Sequence, residues 1–145
     1  TPLYSSAASD VYKRQVWNGI DYVYEAFLDI RGDSDVTLQH RIEQSLVKDE
    51  AFYKMSLREL DEFTSHIDQV KLYAVDTNGQ TRVLNLTKAV HNELGNVRTT
   101  LVSDDDIRVD LHPTETINLE FTLPGFNGQI AYFIFEINGH NKKYP

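Results

Sequence analysis

The sequence predicts a mainly β protein, an antiparallel β-sandwich of about seven strands with one short helix. Apolar and polar residues alternate with a period of two in several segments, as they do in strands that bury one face. Clusters of Gly, Pro, Asn and Asp separate these segments at intervals of about ten residues, which favours antiparallel strands over alternating βαβ units. The 145 residues include eight Tyr and seven Phe, and aromatic side chains suit a half-buried sheet.

The first fifteen residues are expected to lie outside this fold. Their apolar residues follow neither a strand alternation nor a helical stripe, and no apolar run marks a secretory signal. Small and polar residues bury too little apolar surface to offset the entropy lost on ordering. Residues 1–15 are therefore interpreted as a disordered or artefactual leader, since 5–15 also resemble translated sequencing-adaptor DNA at the ends of metagenomic reading frames. Residues 16–145 are expected to form a single β-sandwich domain, a fragment of a longer protein.

The first two predicted strands are expected to form a hairpin. Residues 20–30 alternate between apolar and polar, and residues 36–42 alternate again after the turn-forming Arg31–Asp35. Because Gly, Asp and Ser favour tight turns, the second segment is predicted to pair antiparallel with the first.

The segment 47–66 predicts the one helix. Ser56 and Glu59 have the spacing of a capping box, in which the hydroxyl and the carboxylate bond each other's free backbone N–H groups. Leu57, Leu60 and Phe63 follow at helical spacing. A short helix or helical turn is expected here.

Further strands are predicted along the C-terminal part of the chain, at residues 70–75, 80–86, 107–111, 117–123 and 130–137. Asp76-Thr77-Asn78-Gly79 should form the turn of a hairpin between the first two, because Asn-Gly tolerates positive φ. The last segment is so continuously apolar that it is expected to be central, with both faces covered, and to end at Asn138-Gly139.

The composition excludes several classes of function. The formal net charge is −8, and an acidic chain does not favour nucleic acid or an anionic membrane as a partner, because both require a basic face. No apolar run approaches the roughly 18 residues of a spanning helix, so no membrane insertion is expected. The absence of Cys removes disulfides, thiolate metal sites and cysteine nucleophiles.

Several phrases in the C-terminal half resemble a known class of sequence. These are residues 67–76, 89–97, 111–121 and 133–139. They are similar to the β-rich region at the C-terminal end of large FG-GAP or tetratricopeptide-type repeat proteins of bacteria and archaea, over roughly residues 60–143. The phrases are structural and not catalytic. The resemblance implies an accessory module in a long, exported protein, which would place the chain outside the cytoplasm or in the secreted fraction, with other domains of the parent chain as partners.

Aspartates supply a candidate calcium site. Asp29, Asp33 and Asp35 can converge on a Ca²⁺ ion, a hard cation that takes six to eight oxygen ligands, and Asp104-Asp105-Asp106 can supply a second set. Neither stretch has the spacing of an EF-hand loop. The alternative interpretation is a solvated turn and a run of charges at the entrance of a strand. No other cofactor is expected.

Aromatic residues supply a candidate sugar-binding surface. Tyr22 and Tyr73 are the candidate stacking residues, with Trp17 and Tyr24 as neighbours in the pattern. The alternative is that aromatic side chains at alternating strand positions fill the core of the sandwich.

Signatures of catalysis are absent from the sequence. It contains no nucleophile elbow, phosphate-binding glycine loop or dinucleotide fingerprint. Its five histidines are widely spaced, so that a zinc site would have to be assembled by the fold. Acidic pairs such as Glu59 with Asp61 or Glu62 have a spacing that suits glycoside hydrolysis and an exposed helix face equally.

These observations favour a non-enzymatic structural or interaction module of a larger extracytoplasmic protein. The first alternative is a carbohydrate-binding module, stabilised by calcium and with a glycan as its partner. The second is a fragment of a hydrolase.

Overall fold

The structure is a computed structural model that describes residues 12–17, 22–27, 30, 34–42, 48–49, 52–59, 63–123, 125 and 129–143. For residues 12–17, 22–27, 48–49 and 143 it describes the backbone. The elements in chain order are β1 Tyr12–Trp17, β2 Tyr22–Phe27, β3 Val36–Ile42, β4 Lys48–Asp49, β5 Phe52–Glu59, β6 Phe63–Asp76, β7 Thr81–Val83, β8 Asn85–His91, β9 Gly95–Asn96, α1 Arg98–Leu101, β10 Val109–Leu111, β11 Thr116–Thr122 and β12 Ile130–Lys143.

The strands form two antiparallel sheets that pack against each other, which confirms the predicted β-sandwich. The seven-stranded sheet has the order β2-β1-β5-β11-β8-β9, with β4 also paired to β5. The five-stranded sheet has the order β10-β6-β12-β3, with β7 also paired to β6. The twelve described strands outnumber the predicted seven because β1 and β5 were not predicted as strands, β4 and β9 are only two residues long, and the predicted strand 80–86 is divided into β7 and β8.

One hydrophobic core lies between the sheets. Alternate residues of the central strands are buried in it, as two-residue periodicity requires. From the seven-stranded sheet come Met55, Leu57, Ile117, Leu119 and Phe121, and from the five-stranded sheet Ile67, Leu72, Phe133, Phe135 and Ile137. Full burial of each such side chain stabilises the fold by about 1.5–3 kcal/mol.

The five-stranded sheet is organised by a ladder between its two longest strands. β6 and β12 have 14 residues each and pair from Ile130 opposite Asp76 to Lys143 opposite Phe63. Asp68 is an extra residue in β6, because Gln69 pairs with Asn138 while Ile67 pairs with Gly139. This bulge shifts the phase of β6 by one residue and keeps its inward residues opposite those of β12.

The turn after β6 forms as its sequence predicts. Gly79 has φ 84° and donates its N–H to the carbonyl of Asp76 at 3.0 Å. The Asp76 carboxylate accepts the N–H groups of Asn78 and Gln80, each at 2.9 Å. The side chain of Asp76 therefore closes the turn that its neighbours shape.

The strand predicted after this turn is divided between the two sheets. β7 pairs with β6, but β8 pairs with β11 in the opposite sheet. Leu84 lies at the crossing, where it is buried and donates its N–H to the carbonyl of Leu72 at 2.8 Å. Periodicity indicates which face of a strand is buried but not which sheet contains the strand, so this crossing is not visible in the sequence.

The predicted hairpin between residues 20–30 and 36–42 is wrong for the same reason. β2 pairs with β1, whereas β3 pairs with β12, so the two strands belong to different sheets. Asp35, directly before β3, is bonded to Arg108 and His140, which hold the start of β3 at the edge of the five-stranded sheet.

The helix predicted around Ser56–Glu59 is a strand instead. In β5, Met55 and Leu57 are fully buried at two-residue spacing, and the neighbouring strands β1 and β11 supply backbone partners on both sides. Tertiary pairing outweighs a capping signal of about 1 kcal/mol. The one short helix of the described residues is α1.

The strand predicted at residues 130–137 is central but differs in two respects. Its outward residues Ile134 and Glu136 are only half-buried, so one face is covered and not both. The strand also continues through Gly139 to Lys143. Gly139 therefore does not form a turn. Its lack of a side chain allows two backbones to approach closely, since a Cβ at this position would collide with the carbonyl oxygen of His66.

The expected domain boundary at residue 15 falls within β1. The backbone of residues 12–15 pairs with β5 and that of residues 13–15 also pairs with β2, so these four residues belong to the seven-stranded sheet and not to a leader. Backbone pairing along β5 supplies partners for N–H and C=O groups whatever the side-chain pattern, which is why composition did not reveal it. Residues 1–11 lie outside the described residues.

The close approach at Gly139 predicts the effect of a single methyl group. Gly139→Ala is expected to lower the free energy of unfolding by about 1–3 kcal/mol, because β6 or β12 must shift to admit the Cβ. Urea denaturation measures this change. Asn138→Ala is the control, since this neighbouring side chain makes an exposed hydrogen bond to Thr37 and should contribute no more than about 1 kcal/mol. Equal losses in the two variants would contradict the steric explanation.

Candidate functional site

Four ionisable side chains form a row across the outer face of the five-stranded sheet. Asp110 of β10 pairs with His66 of β6, and His66 pairs with His140 of β12. Asp35 lies beside His140, because the next residue, Val36, pairs with Gly139. Directly opposite residues of neighbouring strands point to the same face. The result is an Asp–His–His–Asp row composed of Asp110, His66, His140 and Asp35.

Each imidazole of the row is held by one carboxylate. His66 Nδ1 lies 2.6 Å from Asp110 Oδ1, and His140 Nδ1 lies 2.7 Å from Asp35 Oδ1. The two ring centroids are 4.9 Å apart with 36° between the planes. Because a carboxylate only accepts hydrogen bonds, Nδ1 of each ring carries the proton, and Nε2 of the neutral ring presents a lone pair.

Arg108 fixes the end of the row at Asp35. Its Nε lies 3.1 Å from Asp35 Oδ1 and 3.0 Å from Oδ2, and its Nη2 also bonds Oδ2. The hydrogen bonds from Arg108 lower the pKa of Asp35, with His140 acting in the same direction against the effect of burial. Asp35 is therefore a carboxylate at neutral pH, and it anchors the start of β3 to the end of β12.

A cleft of about 220 Å³ opens beside the row, lined by His91, Leu94, Arg108, Asp110, His112 and Glu115. His91 is buried at its base, where Nδ1 accepts the backbone N–H groups of Glu93 and Leu94 at 3.0 and 3.1 Å. His91 Nε2 donates to the carbonyl of Asp110 at 2.9 Å. Both ring nitrogens therefore connect the β8–β9 turn to β10, and this histidine has a structural role.

The predicted sugar-stacking residues lie in different sheets. Tyr73 is half-buried on the outer face of the five-stranded sheet, opposite Ile134 of β12 and Val83 of β7. Tyr22 lies in β2 at the edge of the seven-stranded sheet, and its side chain is outside the described residues. The two tyrosines are separated because β2 pairs with β1 in one sheet, whereas β6 pairs with β12 in the other.

A different aromatic residue accompanies Tyr73 on this face. Tyr132 projects outward two residues before Ile134, and the guanidinium carbon of Arg41 lies 3.6 Å from its ring centroid. Polar pairs continue the surface towards the row, with Gln39 bonded to Glu136 at 2.7 Å and Asn138 bonded to Thr37 at 2.8 Å. The outer face thus combines an aromatic patch with exposed hydrogen-bonding groups.

The candidate calcium ligands are only partly described. Asp29 and Asp33 lie outside the described residues, and Asp35 bonds Arg108 and His140. Across the described ranges, no group of three or more His, Asp or Glu residues has an arrangement that could hold a metal ion. Calcium at Asp29, Asp33 and Asp35 stays a prediction.

The second aspartate run lies next to a buried carboxylate that the sequence analysis did not single out. Asp68, the extra residue of the β6 bulge, is 1% exposed, and its Oδ1 accepts the N–H of Asp105 at 3.3 Å. Its Oδ2 has no hydrogen-bond partner in the described structure. Burial and the neighbouring carboxyl of Asp104 raise the pKa of Asp68 to about 6. The bulge therefore places a proton-binding carboxyl beneath the 102–107 loop.

Of the acidic residues considered for glycoside hydrolysis, the structure describes Glu59, which lies in a strand and not in an exposed helix. Glu59 is buried at the end of β5 and accepts a hydrogen bond from the Ser65 hydroxyl. Asp61 and Glu62 lie outside the described residues, so their separation from Glu59 is not described.

Comparison with protein families, with curated proteins and with solved structures found no match to this chain. In the described residues no helix has the length and hydropathy needed to cross a membrane.

The buried carboxyl predicts a pH-dependent gain in stability. Asp68→Asn is expected to raise the free energy of unfolding at pH 7.5 by on the order of 1–2 kcal/mol, because the amide removes a buried charge beside Asp104. The folded protein retains the Asp68 proton up to its pKa of about 6, whereas the unfolded chain loses it near 3.8. This group therefore lowers the stability of the wild type as pH rises from about 4 to 6, and the gain should disappear near pH 4.

Urea denaturation at pH 4 and pH 7.5 measures both values. Asp106→Asn is the matched control, because the Asp106 side chain is 95% exposed, and a change below about 0.5 kcal/mol is expected at either pH. A gain in Asp68→Asn that is independent of pH would contradict the assignment.

Proposed function

We propose that this chain is a non-enzymatic structural or interaction module of a larger extracytoplasmic protein. The observation that carries the proposal is the use of its ionisable groups. Arg108 and His140 join Asp35 to the ends of two strands, and both nitrogens of His91 join a turn to β10. These side chains connect loops to sheets, which is the work of a rigid framework.

The larger setting is supported by the resemblance of residues 60–143 to C-terminal regions of long repeat proteins. In such proteins an accessory module contacts other domains of the same chain. A net charge of −8 is consistent with a partner other than nucleic acid. An extracytoplasmic location belongs to the same proposal.

Carbohydrate binding is the second candidate, and the outer face of the five-stranded sheet favours it. Tyr73 and Tyr132 project from adjacent strands of a sheet face, where an aromatic ring can stack against the C–H face of a sugar. Gln39, Glu136 and Asn138 place amide and carboxylate groups on the same face for sugar hydroxyls. An extended polysaccharide lying across the strands would contact both sets.

The two candidates are separated by a polysaccharide pull-down and a glycan array with the purified chain. If the second candidate is correct, Tyr73→Ala should weaken glycan binding at least tenfold, or by about 1.4 kcal/mol. Leu94→Ala is the control, because Leu94 is also exposed but lies at the β8–β9 turn, and it should bind as the wild type does. No binding to any glycan, or binding that survives Tyr73→Ala, would reject this surface as a sugar site.

Enzymatic activity would overturn the first proposal. A panel of ester and glycoside substrates should give no turnover that depends on a single carboxylate. Glu59→Gln is the informative variant, because Glu59 is the buried acid of the pairs that suit glycoside hydrolysis. Turnover by the wild type that is abolished in Glu59→Gln would identify a hydrolase and contradict the proposed role.

A further inference from the structure

We propose that His66 and His140 together bind one divalent transition-metal ion of the zinc class through their Nε2 atoms. The two residues are direct partners in the β6–β12 ladder and lie at the centre of the Asp–His–His–Asp row. This metal site does not depend on whether the outer face binds a glycan.

The separation of the rings suits a shared ion. Imidazole nitrogens lie about 2.0–2.1 Å from zinc, so two rings on one tetrahedral ion have centroids about 5 Å apart. The observed separation is 4.9 Å. The two strands therefore already hold the rings at the spacing that a common metal requires.

The Nε2 atoms are open to a ligand. The side chains of His66 and His140 are 28% and 13% exposed. Within the described part of the chain, their only hydrogen bonds are those of Nδ1, and neither Nε2 belongs to the buried polar atoms without a partner. Both Nε2 atoms consequently reach solvent with a lone pair available when the rings are neutral.

The carboxylates of the row complete the arrangement that metal-binding histidines require. A histidine ligand donates its other N–H to a carboxylate or carbonyl, which fixes the ring and increases its basicity. Asp110 does this for His66, and Asp35 does it for His140. Their negative charge attracts a dication, and Arg108 offsets part of it at Asp35 alone.

The chemistry of the donors selects the class of ion. Imidazole nitrogens suit Zn²⁺, Cu²⁺ and Ni²⁺, whereas Ca²⁺ and Mg²⁺ prefer oxygen ligands. No third protein ligand lies at this pair among the residues described, so water would occupy the remaining positions. The site is thus an open, two-histidine site of moderate affinity on the surface of the sheet.

Zinc titration of the tag-free chain, stripped with a chelator, tests the proposal. Competition with a chromophoric chelator at pH 7.5 should give one equivalent of bound Zn²⁺, with Ca²⁺ unable to compete. His66→Gln and His140→Gln should each weaken binding at least tenfold. Asp110→Asn leaves both ligands in place and should weaken binding about tenfold, as loss of a carboxylate behind a ligand does.

His112→Gln is the control, because His112 is an exposed histidine at the same end of the sandwich that bonds Thr64 instead of joining the row. It should bind zinc within twofold of the wild type. Electron paramagnetic resonance of the Cu²⁺ form should show two coordinated nitrogens, and circular dichroism confirms that each variant is folded. Failure of the wild type to bind zinc, an equal loss in His112→Gln, or copper without two histidine nitrogens would overturn the proposal.

Discussion

The ladder between β6 and β12 is the interaction on which the rest of the structure depends. It runs the full 14 residues of both strands, and the buried residues of β6 lie opposite the buried residues of β12. The bulge at Asp68 maintains this alignment. Without the extra residue, the alternation that buries Val70 would turn His66 towards the core and Ile67 towards solvent. The bulge therefore determines the composition of both the core and the outer face in this half of the sheet.

The same bulge explains why unusual residues cluster around it. Gly139 lies opposite, where the strands approach too closely for a Cβ, and Asp68 is turned beneath the 102–107 loop with one carboxylate oxygen unpartnered in the described structure. His66 and His140 are brought side by side one position further along. The extra residue, Asp68, thus lowers the stability of the fold because its carboxyl is buried. The bulge that it forms also places His66 on the outer face, within the Asp–His–His–Asp row.

The sequence predicted the positions of the strands better than it predicted which strands pair with each other. Alternation located the segments around Val70–Val75 and Ile117–Leu123 and the turn at Asp76–Gly79, because these features depend on local chemistry. The assignment of β2 and β3 to different sheets depends on contacts that a periodic pattern does not encode. At Ser56–Glu59 a local capping signal was outweighed by pairing on both sides of β5. Local chemistry left open whether Tyr73 lies on the outer face or in the core, and it did not reveal that Tyr22 lies in the other sheet. The Asp–His–His–Asp row was hidden for a related reason, since Asp35 and His140 are 105 residues apart and only the register makes them neighbours.

The crossing of the chain between the two sheets at Leu84 has a consequence for how the sandwich unfolds. The N–H of Leu84 is bonded within the five-stranded sheet, and the next residue, Asn85, pairs in the seven-stranded sheet. The backbone therefore passes from one sheet to the other within a single residue. Because the backbone connects the two sheets at this corner, a displacement of one sheet also strains the hydrogen bonds that the corner makes with the other. This backbone connection couples the unfolding of the two sheets, and we expect them to unfold in one cooperative transition and not one after the other.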